Sequence, residues 1–301
     1  MAKIMICDPV SDACLAKMKE AGHELVDETQ KKTPEELAEL IPGYDAVVIR
    51  SATKVRKVAI DAADKLKIIV RGGVGLDNVD CDYAKSKGVK VSNTPTASSK
   101  SVAELALAHM FGLYRFLPQA NITMRNGEWN KKKYVGHEIG GKTLGIIGFG
   151  HIGKSLAEKA IALGMNVIAY DPYVKETDID AKIVDLDTLF AKSDIISLHI
   201  PHTDETHYII DADAIGLMKD GVMIINCARG GVVDEKALLA GLNSGKVAFA
   251  GVDSFEDEPS NNTELINHPN VSVSPHIGAG TKEAKGNVGI EVADIINAFF
   301  A

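Results

Sequence analysis

The chain has 301 residues, with 33 basic against 41 acidic side chains and a formal net charge of −8. That balance argues against a nucleic-acid binder, whose affinity comes largely from counterions released when basic side chains neutralise phosphates. With 46% apolar and 25% charged residues the composition is that of a globular protein rather than a disordered one, and at roughly 150 residues per domain it suggests two domains.

The first segment, Met1 to Asp8, carries one lysine and an apolar run too short for a signal peptide, so it reads as a strand. No stretch reaches the roughly 20 apolar residues of a membrane span, and the expectation is a cytoplasmic protein without a membrane partner. Cys7, Cys14, Cys81 and Cys227 form no Cys-x-x-Cys pair, which fits a reducing compartment and gives neither a zinc ribbon nor a disulfide framework. Short β-branched runs follow at Ile4–Ile6, Ala46–Ile49, Ile68–Val70 and Val89–Val91. Between the first two lie a helical stretch from Leu15 to Ala21 and a helix start at Thr33-Pro34-Glu35-Glu36, where a threonine cap precedes a proline in the first turn. Strands alternating with helices predict a parallel sheet covered on both faces.

The pattern breaks near Asn93-Thr94-Pro95. Ser101 and Glu104 then have capping-box spacing, and the helix they would open runs through Val102, Leu105, Leu113 and Phe116 to Pro118, apolar on more than one face. From Lys142 a second series of six strands begins: Leu144–Ile147, Val167–Ala169, Ile195–Leu198, Met223–Ile225, Ala248–Val252 and Val271–Val273. Six is about what a doubly wound nucleotide-binding sheet requires. The last helix carries Ala284, Val288, Val292, Ile295 and Phe299 at helical spacing and could return to the first unit. The expected fold is therefore α/β, two Rossmann-like or flavodoxin-like parallel-sheet domains with a cleft between them. One domain would be discontinuous, residues 1–96 with 282–301, and bind substrate; residues 97–281 would form a dinucleotide-binding Rossmann domain.

Leu144 to Gly153 places Gly-x-Gly-x-x-Gly directly after an apolar strand and at the head of a helix. Gly148 permits the tight turn, Gly150 admits a pyrophosphate close to backbone, and Gly153 lets helix and strand approach, while the helix N-terminus faces the phosphates. The strand Val167–Tyr170 ends at Asp171, close to the distance expected for the acid that binds adenosine ribose hydroxyls. No arginine follows, and a carboxylate there repels a 2′-phosphate, so NAD is the expected cofactor rather than NADP. A glycine-rich turn with a strand-terminal capping aspartate is the structural alternative.

Three polar blocks stand where strands should end: Asn226-Cys227-Ala228-Arg229-Gly230-Gly231, Asp257-Glu258-Pro259, and Ser274-Pro275-His276-Ile277-Gly278-Ala279. Ligands of open α/β sheets bind at the carboxyl ends of the strands. Removing hydride from C2 of a 2-hydroxy acid needs a base for the hydroxyl proton, and histidine, here His276, is the residue type suited to that role near neutral pH. Arg229 offers a planar fork that holds a carboxylate and polarises the neighbouring oxygen. Glu258 beside His276 would orient the ring and favour its protonated form. Taken singly, Arg229 could instead pair with Glu235 on the surface, Glu258 could sit in a solvated acidic loop, and His276 could be structural.

Together, the Gly148–Gly153 loop, the block Asn226 to Glu235 and Ser274 to Ala279 resemble the D-isomer-specific 2-hydroxyacid dehydrogenase family over nearly the whole chain. The resemblance implies Arg229, Glu258 and His276 as the catalytic set. It assigns Val74, Gly148, Gly150, His151, Ile152, Gly153, Asp171, His199, Ile200, Pro201, Cys227, Ala228, Asp253 and Gly278 to the cofactor site. Where the family often has threonine, this chain has Val74 and Ile200, which leaves backbone contacts there and removes a hydroxyl. Arg50 to Val55, Gly75 to Asp80, and Trp129 with its following lysines resemble the branch that oxidises 3-phospho-D-glycerate to 3-phosphooxypyruvate, the first step of L-serine synthesis. Arg50 and Arg71, at the ends of their strands, suit a substrate with extra negative charge such as that phosphate, Ser51 joins them in the expected substrate site, and the backbone of Gly72-Gly73-Val74 could add N–H donors for the carboxylate; Arg71 pairing with Asp77 is the structural alternative. The resemblance also implies a homodimer, with Lys131 reaching the partner's site.

Alternatives within the class are a glyoxylate or hydroxypyruvate reductase, and less so a formate dehydrogenase, which would carry glutamine in place of Glu258. From another class comes an NAD-sensing, corepressor-like binding protein. His199, His202 and His207 lack zinc-ligand spacing, and no metal is expected. Only 25 residues follow His276, room for one helix, so the expectation is that no serine-binding regulatory domain follows and that serine leaves activity unchanged.

Overall fold

Four-residue strands that are apolar on both faces belong inside parallel sheets covered by helices. The computed structural model describes residues 1–30 and 32–301 and forms two units, Met1–Ser98 with Ala279–Ala301, and Ser99–Gly278.

The first unit runs β1 (Lys3–Ile6), α1 (Asp12–Glu20), β2 (Glu24–Asp27), α2 (Pro34–Leu40), β3 (Ala46–Ile49), α3 (Lys57–Ala62), β4 (Ile68–Arg71), α4 (Cys81–Ser86) and β5 (Lys90–Asn93). Its strands form one parallel sheet in the order β2-β1-β3-β4-β5. The central β3 is buried at every residue. Edge strand β2, sequence ELVD, escapes the hydrophobic pattern because only two of its residues are apolar and none is fully buried. The expected start of α2 has both halves of a capping box: Glu36 N donates to Thr33 Oγ1 at 3.2 Å and Thr33 N to Glu36 Oε2 at 2.7 Å.

The second unit runs α5 (Ser99–Tyr114), α6 (Leu117–Arg125), β6 (Thr143–Ile147), α7 (His151–Ala162), β7 (Asn166–Tyr170), β8 (Lys182–Ile183), α8 (Leu186–Lys192), β9 (Ile195–Leu198), α9 (Ala212–Leu217), β10 (Val222–Asn226), α10 (Glu235–Ser244), β11 (Val247–Val252), α11 (Thr263–Ile266) and β12 (Val271–Val273). Its parallel sheet has seven strands in the order β12-β11-β10-β9-β6-β7-β8. The six expected strands are present; β8 adds an edge strand of two residues, too short to leave a periodic signal.

Two details of the expected long helix differ. It begins at Ser99, so Ser101 is buried within its first turn and Glu104 reaches Lys159 of α7 at 3.8 Å instead of closing a cap. It also stops at Tyr114: Phe116 takes a left-handed φ of +54°, and Pro118 stands in the first turn of a separate helix, α6. The apolar surface of α5 lies within this unit, where Ala103, Ala106, Met110 and Leu113 join Ile146, Phe149, Met223 and Ile225 in one core.

The chain ends in α12 (Lys282–Phe299). Its Val288, Val292, Ala293 and Ile296 are buried with Ile4, Ile6, Met18, Val48 and Val70, covering one face of the first unit's sheet. Among the described residues no helix is long and apolar enough to cross a membrane.

Candidate active site

Register brings the expected residues of the second unit to one level. Ile147, the last residue of β6, pairs with Tyr170 and with Leu198; Leu198 pairs with Asn226, Asn226 with Val252, and Val252 with Val273. Gly148, Asp171, His199, Cys227, Asp253 and Ser274 therefore leave their strands along a single carboxyl edge. The winding direction of the sheet reverses between β6 and β9, where the crevice of a doubly wound sheet lies.

At that point sits the glycine loop. Gly148 has φ +93°, and a Cβ on it would lie 2.5 Å from the His199 carbonyl oxygen and 2.7 Å from Ile200 Cγ2. A Cβ on Gly153 would lie 2.2 Å from the Gly148 carbonyl oxygen. Gly150 differs: it caps α7, and a Cβ there would meet nothing within 4 Å. The loop is thus closed on its inner side and open on its outer side, where the N-terminus of a twelve-residue helix presents free N–H groups. Asp171 ties this cradle to β7, its Oδ2 accepting from Phe149 N and its Oδ1 from Tyr173 N, both at 2.9 Å. Each oxygen keeps further acceptor capacity for ribose hydroxyls. An open pyrophosphate face, a helix N-terminus and a carboxylate at the next strand fit a dinucleotide. Next to the cradle His151 is exposed and Ile152 half-buried. Cys227 and Ala228 are buried with Cys227 in the core, its thiol pushed up by burial, so backbone is what they offer a ligand.

His199 donates its backbone N–H to Ile147 O and places Nε2 3.0 Å from Ser197 Oγ, while its Nδ1 is buried without a hydrogen-bond partner among the described residues. Burial pushes its imidazole down to about 3. Because the unfolded chain takes up this proton near pH 6.5 and the folded one does not, His199 stabilises the fold least in acid. Urea denaturation will therefore show stability falling from pH 6.5 downwards, by up to about 1.4 kcal/mol per pH unit from this group. His199→Gln will flatten that slope, and an unchanged slope would contradict the assignment.

The polar blocks come next. Asn226 organises the first: its Oδ1 accepts from Ala228 N at 3.1 Å, and its Nδ2 donates to Arg229 O at 2.9 Å and Ser254 O at 3.3 Å. Arg229 is half-buried, with Nη1 donating to Ala228 O at 2.6 Å. Its supposed surface partner Glu235 is buried instead and serves backbone, accepting from Glu256 N at 2.9 Å and Asn262 Nδ2 at 2.7 Å; Glu256 Oε1 accepts from Glu235 N in return at 3.1 Å. This clasp joins the arginine loop to the loop that carries Glu258. Glu258 and His276 do meet, with Nδ1 of the ring 2.9 Å from Oε1 and 2.8 Å from Oε2. Both side chains are exposed, 42% and 44%, so the pair faces solvent rather than a core. His276 has φ +52°, a conformation that its loop enforces through Asp253: the carboxylate accepts from Ile277 N and Gly278 N at 2.8 Å, and the Asp253 carbonyl from His276 N at 2.9 Å.

Within the first unit, Arg50 and Arg71 follow and end adjacent strands β3 and β4 at their carboxyl edge. The loop bearing Arg50 and the exposed Ser51 is built on buried Asp8, which accepts from Arg50 N at 2.5 Å and Thr53 N at 3.2 Å, and on Asn78, whose Nδ2 donates to the carbonyls of Arg50 and Thr53 at 2.7 and 2.6 Å. The Gly72 and Gly73 amides, expected at the substrate carboxylate, have partners within the fold. Gly72 N donates to Ile49 O at 2.8 Å and Gly73 N to Thr94 Oγ1 at 2.7 Å, so both are spent inside the fold. Val74 is half-buried and its carbonyl accepts from Asn93 Nδ2 at 2.5 Å. Lys131 lies on an exposed turn after Trp129, itself 78% exposed. Asp8 and Thr94 have no motif to announce them beyond a polar residue within two positions of a strand end, and Asn78 stands in the Gly75–Asp80 block without a role that the block assigns.

Comparison with known proteins agrees with this architecture. Residues 107–278 match the D-isomer specific 2-hydroxyacid dehydrogenase, NAD binding domain. A hydroxypyruvate reductase from Thermotoga maritima is 48% identical over 98% of this chain and 97% of its own length. A D-3-phosphoglycerate dehydrogenase from Methanocaldococcus jannaschii is 43% identical over 98% of this chain, which spans 57% of that longer protein. Among solved structures, a glyoxylate reductase from Paecilomyes thermophila superposes with TM-score 0.92 at 32% identity, covering 99% of this chain and 94% of that one. The chain belongs to the D-isomer-specific 2-hydroxyacid dehydrogenase family and is an NAD-dependent oxidoreductase of that class.

Proposed function

We propose that this enzyme oxidises 3-phospho-D-glycerate to 3-phosphooxypyruvate, the first step of L-serine synthesis, with Arg229, Glu258 and His276 as its catalytic residues. The observation that carries the chemistry is the His276–Glu258 pair. A carboxylate bridging Nδ1 leaves Nε2 to take the proton from the C2 hydroxyl and stabilises the imidazolium that results. Arg229 holds the substrate carboxylate and the C2 oxygen, polarising the bond as it becomes a carbonyl. The Gly148–Gly153 cradle and Asp171 would hold NAD, which would supply the acceptor for the hydride that leaves C2. Atoms balance: the hydroxy acid gives up one hydride and one proton and becomes the oxo acid.

Arg50 and Arg71 support a phosphorylated substrate, since two guanidinium groups on adjacent strand ends suit a dianion better than a simple hydroxy acid. Arg50→Ala will lower kcat/KM for phosphoglycerate by about 10- to 100-fold, the loss of one or two charge-assisted hydrogen bonds, and will leave an unphosphorylated hydroxy acid nearly unaffected. Equal losses for both would remove Arg50 from the phosphate site. A second reading, reduction of hydroxypyruvate or glyoxylate, draws on the 48% identity to a hydroxypyruvate reductase. It shares the catalytic residues and differs only in needing no phosphate contact.

We further assign an interface with a second copy of the chain to the segment that exposes Leu117, Ile122, Met124, Trp129 and Val135. Light scattering will give twice the 32.1 kDa chain mass, and Ile122→Asp will halve it; a wild-type monomer would refute the assignment.

A further inference from the structure

Behind the exposed His276 turn, a partly buried chain of polar groups crosses from α5 to the edge of the sheet. His109 of α5 is 5% exposed and sets Nδ1 2.8 Å from Ser272 Oγ and Nε2 3.1 Å from Ser274 Oγ. Ser274 Oγ donates to Asp253 Oδ1 at 2.5 Å, and Asp253 in turn accepts the amides of Ile277 and Gly278. The donor and acceptor roles close in one way. Since the Ser274 hydroxyl hydrogen goes to Asp253, its oxygen accepts from His109 Nε2–H. A neutral imidazole with its proton there has Nδ1 as acceptor, filled by the Ser272 hydroxyl. Burial pulls the His109 imidazole below its ordinary range, which keeps it in this neutral, one-donor, one-acceptor form. The sheet makes room for the ring at Gly251, where a Cβ would lie 2.8 Å from His109 Cβ.

We infer that His109 is a positioning residue for His276, acting through Ser274 and Asp253 to hold the left-handed turn that aims the imidazole at Glu258. Both Asp253 oxygens are occupied by the 277–278 amides, and Ser274 fixes one of them from the core side. The turn is thus anchored to α5 rather than to neighbouring loop backbone alone. A residue on α5, far from this loop in sequence, thereby sets the geometry of the acid–base pair. This inference rests on the acid–base role given to His276 above.

The test compares His109→Phe, which keeps the bulk and removes both nitrogens, with His109→Gln, which can donate and accept at similar separation, and with Ser274→Ala, which cuts the chain without touching α5. Two readouts are taken: NMR titration of the His276 imidazole with amide exchange at Ile277 and Gly278, and kcat against pH. His109→Phe and Ser274→Ala will change the His276 titration curve, speed exchange at the two amides and lower kcat by about tenfold or more, as a displaced catalytic group does. His109→Gln will restore all three. Unchanged titration and exchange in Ser274→Ala, or a glutamine variant as impaired as phenylalanine, would overturn the inference. The NMR arm needs no substrate, so failure of the catalytic reading, seen as absent turnover in the wild type, is distinguished from failure of the positioning role.

Discussion

His276→Ala will lower kcat by about 10² to 10⁴-fold while NAD affinity stays within a few-fold of wild type. The size of the loss follows from what the imidazole does: with no base, the C2 hydroxyl proton must pass to water while hydride leaves, and the carboxylate of Glu258 is then left without the cation it stabilises. Retained NAD affinity follows from what would hold the dinucleotide, since the glycine cradle follows β6, Asp171 follows β7, and neither uses an imidazole atom of His276. The turn itself survives because its hydrogen bonds run from backbone amides to Asp253 and involve no imidazole atom. The φ of +52° costs alanine about 1 kcal/mol more than a residue that tolerates left-handed backbone, and His276→Asn controls for it. Near-normal turnover in either variant would remove His276 from the mechanism.

Two alanine substitutions in the glycine loop will separate folding from cofactor binding. At Gly153 the new Cβ would stand 2.2 Å from a backbone carbonyl, so α7 must shift off the strand. Overpacking of this kind costs about 1–3 kcal/mol, and the displaced helix N-terminus will also weaken NAD binding. At Gly150 the new Cβ meets only open space, and φ is −77°, so stability will stay within about 0.5 kcal/mol of wild type. That same open space is where backbone would approach the pyrophosphate, and a methyl there will weaken NAD by about tenfold or more. Thermal unfolding paired with NAD titration reads both. A Gly150→Ala variant that binds NAD normally would place the pyrophosphate elsewhere.

Much of the architecture was legible because its signals are local. Apolar four-residue runs at regular intervals gave both sheets, and the glycine spacing gave the strand–turn–helix at Gly148 to Gly153. Strands β2 and β8 were not legible, since an edge strand with few or no buried side chains carries no pattern. The start of α5 is a related case: Ser101 and Glu104 have the spacing of a capping box, but Ser101 is buried inside the helix and Glu104 faces Lys159 of α7, contacts that local spacing does not show. At the site, residue types at strand ends could be read, but contacts between separated loops could not. Spacing alone allows Glu235 as a surface partner for Arg229, and only the folded loops show its carboxylate on the Glu256 amide. The Gly72 and Gly73 amides looked available because nothing in the sequence says that Thr94 and Ile49 take them. Asp8 and His109 are buried polar residues whose partners lie 42 and 163 positions away, and no spacing rule reaches that far.

The central claim is tested most directly by the purified chain's turnover with each candidate substrate at matched cofactor. The account predicts NADH formation from 3-phospho-D-glycerate and NAD, with kcat/KM for 3-phosphooxypyruvate reduction above that for hydroxypyruvate and glyoxylate. Turnover of hydroxypyruvate or glyoxylate with none of the phosphorylated pair would contradict it and leave the reductase reading in its place.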